Sequence, residues 1–397
     1  MVKIYLKDTP IATFTQDKRN YLIDYQNLEI QNSITLSLPN SKKFYTYDYK
    51  FPPYFETFLP EGYLYEIFKN LLTKEYGYID DYLIFSKLSP NIQSRVAFKS
   101  DFSKLDFDFL DIDNIVENDS NDTFRKLLDT FLNKNAISGV QPKTVALLKD
   151  KETLHIKEYI IKTWGEEYPY LAENEYFCLK ACERAGIKIP HITLSKNKKF
   201  LIVENFIFED MKILGFEEIL SLQEKNRNKK YDGSYEQVAK TIYQFATQKK
   251  ESLTAYYKTM VMNYLLKNGD AHLKNFGLLF NNDFSHIWLS PTYDVVNTTS
   301  YIYQDKPALM MQGKKVWFNK EALVEFGIKH CMLTQKEANS FYVECENALK
   351  KTISEIESYI VNNSHFKTIG RRMIESFKIS LKNQTIKELP RELTRTW

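Results

Sequence analysis

The stretch NGDAHLKNFGLLF, Asn268 to Phe280, decides how the rest of the chain is read. Before it, apolar Met260, Val261, Tyr264 and Leu265 recur at helical spacing, and Gly269 is the expected left-handed residue at which that helix ends, so Asp270 opens a loop. After it, FGLLFNNDFSHIWLS reads as a hairpin that turns at Asn281-Asn282-Asp283 and returns through LSPTYD to Asp294. A hairpin folds back on its own start, so Asp294 is expected beside Asn275 despite 19 residues of separation.

Asp270 and Asn275 stand five residues apart, the separation of the Asp and Asn in the catalytic loop H-R-D-x-x-x-x-N of protein kinases. The spacing has a mechanical reason. One side chain accepts the proton of an attacking hydroxyl, and the other, further along the loop, reaches a metal ion on the phosphates. A hard cation such as Mg²⁺ takes one or two carboxylate or amide oxygens together with phosphate oxygens, the set that Asn275 and Asp294 offer. Lys274 is placed to neutralise charge on the transferred phosphoryl group. A lone N-G-D triplet is an ordinary solvated turn, and the joint occurrence with H-x-K-N, a hairpin and a second Asp carries the chemistry. His272 reads two ways, as a nucleotide contact or as a structural residue tying the loop to its surroundings.

Residues 1 to about 100 alternate in short apolar and polar steps and then give FPPYFETFLPEGYLYEIFKNLLTKEYG, with Phe58, Tyr63, Ile67 and Leu71 at helical spacing, an α+β module. The acidic stretch FSKLDFDFLDIDNIVENDSND reads as a linker, which puts a border near residue 101. From about 123 the expectation is a helix, a loop, the strands TVALLK and LHIKEYIIKTW, the helix ENEYFCLKACERAG and a strand pair in ITLSKNKKFLIVENF. The remainder is mostly helical, beginning with FEEILSLQEK.

A phosphotransfer site also needs a nucleotide clamp. In the loop Ser138-Gly139-Val140-Gln141-Pro142-Lys143 a tight turn could aim backbone N–H groups at phosphates. Lys162 on the strand YIIKTW, with Glu175 on the next helix, matches the strand lysine and helix carboxylate with which kinases orient the α- and β-phosphates; the bland alternative is a strand lysine snorkelling to water. LIVENF would then be the hinge, its backbone near Glu204 and Phe206 holding adenine.

Composition sets the outer bounds. The 397 residues are 43% hydrophobic and 26% charged, the balance of an ordinary folded protein with room for two or three domains. Fifty-four basic residues against 51 acidic leave +3, too small an excess to indicate nucleic-acid binding. Cys178, Cys182, Cys331 and Cys345 are scattered and read as core thiols in a reducing compartment. No run approaches 18 apolar residues and the N-terminus lacks an apolar leader core, so a cytoplasmic protein with no membrane contact is expected.

SGVQPKTVALL, YIIK, ENEYFCLKACERAGIKIP, LIVENF, NGDAHLKNFGLL and LSPTYDVVNT, in this order, resemble the HipA family of bacterial serine/threonine kinase toxins, and SLPNSKK with FETFLPEG looks like the first subdomain of that family. The resemblance implies a two-lobed, protein-kinase-like α+β fold: an N-terminal subdomain over 1–100, a nucleotide lobe over 101–205 and a helical lobe over 206–397. It implies ATP and Mg²⁺, with Asp270 as catalytic base, Asn275 and Asp294 as metal ligands, Lys162 on the phosphates and Glu175 as its partner. It further implies a helix-turn-helix antitoxin of HipB type as partner, contact with operator DNA only through that antitoxin, and a protein substrate, an aminoacyl-tRNA synthetase.

The family also uses a loop serine as an autophosphorylation switch. In well-known members that serine stands where this chain has Ala136, and in others where it has Ser138, which makes Ser138 the candidate. The hinge departs too: members often show E-R-F-D-R where this chain has Glu204-Asn205-Phe206-Ile207-Phe208. The rival readings are a small-molecule phosphotransferase, because G-D-x-H-x-x-N also fits aminoglycoside and choline kinase-like loops, and an idle antitoxin-binding co-repressor.

Overall fold

The computed structural model describes residues 1–26, 32–102, 112–120, 122, 123, 126, 152–156, 159–163, 165, 167–209 and 212–382. Four strands come first, β1 (Val2–Leu6), β2 (Thr9–Asp17), β3 (Asn20–Tyr25) and β4 (Phe44–Asp48), then α1 (Pro53–Glu56), α2 (Gly62–Tyr76), α3 (Asp81–Leu88), β5 (Ala97–Lys99) and α4 (Ile112–Glu117). Next are β6 (Glu152–Ile156), β7 (Tyr159–Thr163), α5 (Leu171–Arg184), β8 (Ile192–Leu194) and β9 (Leu201–Glu204). A small hairpin of β10 (Phe208–Glu209) and β11 (Lys212–Ile213) precedes β12 (Gly215–Glu218) and α6 (Ile219–Leu222). The chain finishes with α7 (Tyr235–Phe245), α8 (Lys249–Leu265), β13 (Gly277–Phe280), β14 (Ile287–Leu289), α9 (Lys320–His330), α10 (Gln335–Asn362) and α11 (Lys367–Leu381). These elements form two compact units: Met1–Pro169 with Thr193–Lys229 and Gly277–Ile287, and Tyr170–Ile192 with Lys230–Phe276 and Trp288–Trp397.

In the first unit, β4-β3-β2-β1-β5 make an antiparallel sheet. Alternate side chains Val2 and Ile4, Ala12 and Phe14, and Tyr21, Ile23 and Tyr25 turn to one face, as the two-residue period of a strand requires. There they meet the helices, with the Phe14 ring 4.5 Å from Phe55 and Phe55 5.0 Å from Phe85. Ile161 and Ile202, on a second sheet, β6-β7-β9-β8, belong to the same buried cluster, as does Phe200 just before β9.

Three expectations change here. LHIKEYIIKTW is two strands, because Glu152–Ile156 and Tyr159–Thr163 pair antiparallel with Ile156 opposite Tyr159. FEEILSLQEK does not begin as a helix: Gly215–Glu218 pairs antiparallel with Gly277–Phe280, and only Ile219–Leu222 is helical. The pairing depends on two glycines, since a Cβ on Gly215 would overlap the Phe280 ring and one on Gly277 would overlap the Phe216 ring. Each aromatic lies across a bare glycine of the facing strand, a close approach that only glycine permits. The acidic stretch is also no open tether at its far end. Buried Asp119 accepts from Ser195 Oγ at 2.6 Å, Asn197 N at 2.9 Å, Asn197 Nδ2 at 2.7 Å and Lys199 N at 3.1 Å, clasping the β8–β9 turn.

Glu217 on β12 is the polar anchor of this unit. Fully buried, it accepts from Thr35 Oγ1 at 2.6 Å, Ser37 N at 3.1 Å, Ser221 Oγ at 2.5 Å and the Ser37 hydroxyl. Burial pushes its carboxyl above the ordinary range while these donors pull it back. Glu217→Ala strands four donors in a dry site and is expected to cost about 3 kcal/mol or more in a denaturant melt. A loss under about 1 kcal/mol would show that water can replace the carboxylate.

The second unit is helical. Ser234 with Gln237 and Thr334 with Glu337 form capping boxes that fix where α7 and α10 begin. Asn297 joins three segments: its N–H donates to Asn174 Oδ1 at 2.8 Å, and its amide donates to Leu266 O at 2.7 Å and Ser376 Oγ at 3.1 Å. The end of α8 is thus tied to α5 and α11. All four cysteines are buried free thiols. Among the described residues no helix is long and apolar enough to cross a membrane.

Candidate active site

Helix α8 delivers the NGD loop, but the left-handed exit is taken by Lys267 (φ 54°) and not by Gly269. Gly269 is required for space instead: its N–H donates to Thr298 Oγ1 at 2.8 Å, and a Cβ would overlap the Asp305 carboxylate. The loop is then pinned residue by residue. Asn268 Nδ2 donates to Asn263 Oδ1 at 2.9 Å, and Asp270 N donates to Asn268 Oδ1 at 3.1 Å. His272 N donates to Asp270 O at 2.8 Å, and a 3₁₀ turn over Leu273–Asn275 follows.

Asn275 and Asp294 meet. The buried Asn275 amide nitrogen faces three acceptors, Asp270 O at 3.1 Å, Asp294 O at 3.2 Å and Asp294 Oδ2 at 3.3 Å. These acceptors decide the amide orientation, so Oδ1 is the atom turned the other way, available to ligate. Asp294 itself sits at φ 56°, a left-handed conformation that costs a non-glycine residue roughly 1 kcal/mol and that clusters at functional sites. Tyr293, its neighbour in the YD pair, donates through its hydroxyl to Lys274 O at 2.7 Å and so clips the returning segment onto the loop. A hard oxygen pair from an amide and a carboxylate suits Mg²⁺, which keeps its remaining positions for phosphate oxygens and water.

Asp270 is partly exposed, its side chain at 40%, and Oδ1 accepts from the Tyr231 hydroxyl at 2.7 Å. His272 is buried, its ring edge-to-face on Tyr231 with centroids 5.2 Å apart and its Nε2 3.9 Å from Asp270 Oδ1, beyond hydrogen-bond reach. Lys274 is half-buried. Lys162, buried on β7, lies in the first unit, and Glu175, buried on α5, in the second. Glu204 ends β9 on the surface, and the Phe206 ring packs edge-on to Phe216 at 5.3 Å. Ser138, Gly139, Val140, Gln141 and Lys143 lie outside the described residues. Two contributors escaped the sequence, Tyr231 and the tether Thr298: neither stands in a motif, and each reaches the loop only through the fold.

Lys267 adds a pH-sensitive element to this lobe. Burial lowers its ammonium to about 7, although the Trp317 ring face, 4.8 Å from Nζ, favours the cation. An unfolded lysine keeps a value near 10.4, so between about pH 7 and about pH 10 the unfolded chain binds more protons here than the folded one. Stability from this group therefore rises with pH across that window, by up to about 1.4 kcal/mol per unit. Lys267→Met is expected to remove that slope from the pH dependence of thermal unfolding, and parallel curves for parent and variant would contradict it.

Antiparallel sheets in one unit, a helical second unit and a loop that brings an aspartate, an asparagine and a second aspartate together define a two-lobed, protein-kinase-like α+β protein with an added N-terminal subdomain. Residues 135–356 match the HipA-like C-terminal domain, and residues 2–85 match the HipA N-terminal domain. The chain belongs to the HipA family. It is 31% identical over 185 residues to a Haemophilus influenzae protein named "Putative kinase", covering 42% of this chain and 53% of that protein, so the match spans about half the relative's length. It is 23% identical over 348 residues to "Putative kinase Y4dM" of Sinorhizobium fredii, covering 78% of this chain and 80% of that protein. Among solved structures it is similar to the HipA complex of Shewanella oneidensis, determined with HipB and its operator DNA, at a TM-score of 0.69 and 13% identity over 98% of this chain and 99% of the other.

Proposed function

We propose that this protein is an ATP-dependent serine/threonine protein kinase that acts as the toxin of a toxin–antitoxin pair. The observation that carries the reading is the Asn275 amide held between the Asp270 carbonyl and Asp294, which sets a base and two oxygen ligands in one small loop cluster. In this reading Asp270 accepts the proton of a serine hydroxyl as its oxygen attacks the γ-phosphorus of ATP and ADP leaves. Asn275 and Asp294 hold Mg²⁺, which neutralises charge on the phosphates when bound. Lys274 faces the transferred group, Lys162 with Glu175 orients the α- and β-phosphates, and the backbone at Glu204 and Phe206 takes adenine. His272, buried against Tyr231, serves the loop as a structural residue.

Residues 1–100 form the N-terminal subdomain, 101–205 carry the nucleotide loop and strand lysine, and 206–397 carry the catalytic and metal loops. The partner is a helix-turn-helix antitoxin of HipB type, through which alone operator DNA is reached. Family membership and the Shewanella HipA solved with HipB support it. The protein works in the cytoplasm, and its protein substrate is of the aminoacyl-tRNA synthetase class by family resemblance. Ser138 is the self-modification site: a phosphoserine brings about −1.5 to −2 charge toward a triphosphate, and like charges about 4 Å apart repel by roughly 4 kcal/mol per pair at an effective dielectric near 20.

The test is to incubate protein verified as unphosphorylated with Mg·ATP, beside an Asp270→Ala variant, and to map phosphate by intact and peptide mass spectrometry. One phosphate gained at Ser138 in the parent alone is the expected result. A parent that transfers phosphate neither to itself nor to protein acceptors, but does so to aminoglycosides or choline, overturns the protein-kinase reading.

A further inference from the structure

The geometry points to Tyr231 as a positioning residue for the Asp270 carboxylate, a role that rests on reading Asp270 as the base. The phenol donates to Asp270 Oδ1 over 2.7 Å, across 39 residues of sequence. It reaches that oxygen on a braced segment. Leu273 N donates to Lys230 O at 3.1 Å, locking the preceding residue to the catalytic loop. Lys315 Nζ donates to Tyr231 O at 3.2 Å. Just beyond, Met310 N donates to Gly233 O at 3.1 Å and Tyr235 N to Met310 O at 2.9 Å, and the Ser234 capping box starts α7. The ring stands edge-on to buried His272. Tyr231 is 41% exposed, so apolar burial does not explain this bracing, whereas delivery of one hydroxyl to one oxygen does.

The consequence is rotational. The terminal torsion of an aspartate is broad and nearly two-fold, so an unheld carboxylate samples many orientations. With Oδ1 fixed by the phenol, Oδ2 is directed to the acceptor hydroxyl. Donation to a carboxylate weakens it as a base. Phosphoryl transfer, however, passes through a loose transition state in which positioning outweighs proton abstraction, so the orientation gain dominates. His272 acts one step back, setting the tilt of the ring.

Tyr231→Phe removes the hydroxyl and keeps the ring against His272. The full-length parent and variant are compared with Mg·ATP, using self-phosphorylation and myelin basic protein as acceptors. A kcat about tenfold lower is expected, the size of one charge-assisted hydrogen bond, with the ATP KM and the thermal melt unchanged. In an Asp270→Asn background the same substitution should do nothing more, because the two groups act as one unit. An unchanged kcat, or a full additional loss on top of Asp270→Asn, overturns the proposal. So does a raised kcat, which would mean that the phenol occupies the acceptor's place as a plug. A parent with no phosphate transfer to any acceptor overturns the kinase reading and this role together, whereas an active parent unaffected by Tyr231→Phe overturns this role alone.

Discussion

Replacing Asp270 with alanine is expected to lower turnover by about 10²- to 10⁴-fold, the usual size of a general-base contribution, while leaving ATP affinity nearly intact. The separation follows from which atoms do what. The Asp270 side chain contacts the Tyr231 hydroxyl, but it is the Asp270 backbone carbonyl that orients the Asn275 amide, at 3.1 Å. Alanine keeps that carbonyl, so the amide and Asp294 stay in register and Mg·ATP still finds its ligands. Single-turnover phosphate transfer measured beside calorimetric nucleotide binding reads the two effects separately. Loss of ATP affinity as large as the loss of rate would show that Asp270 holds the nucleotide.

Asp294→Ala is expected to act on both quantities. It removes one acceptor of the Asn275 amide and, in the proposed role, a carboxylate ligand of Mg²⁺. Metal stabilisation of phosphoryl charge is worth several kcal/mol, so kcat/KM should fall by about 10²- to 10³-fold, with weaker Mg·ATP binding contributing to the loss. Asn275→Ala should show the same pattern. Backbone strain is separable from ligation, because Asp294 sits at φ 56°. Asp294→Gly relaxes that conformation and should recover folding stability without recovering Mg²⁺ dependence. The readout is ATP binding titrated against Mg²⁺, and an Asp294→Ala protein with the parent's Mg²⁺ dependence would sink the metal role.

The juxtaposition of Asn275 with Asp294 was legible because it is nearly local: a helix end, a loop and a hairpin that returns on itself leave few alternatives over 19 residues. Gly269 shows where such reading stops. A glycine after a helix suggests a left-handed cap, yet Lys267 takes that conformation and the glycine makes room for Asp305, a residue far along the chain. β12 fails for the same reason. FEEILSL has a helical rhythm by itself, and only the facing strand, with Phe280 over Gly215 and Phe216 over Gly277, overrides it.

The α+β class, the helices with clear apolar periodicity, the five-residue Asp270–Asn275 spacing and membership of the HipA family were readable from the residues alone, because all depend on short-range pattern or on motif order. Packing, in contrast, set Tyr231 against the Asp270 carboxylate, gathered Thr35, Ser37 and Ser221 around the buried Glu217 carboxyl and closed Asp119 on the β8–β9 turn. Except for Ser221, four residues from Glu217, the partners in these contacts stand tens to hundreds of residues apart in sequence. Hydrophobic period constrains which face of an element is buried, but says nothing about which lone donor will meet which lone acceptor once those faces have packed.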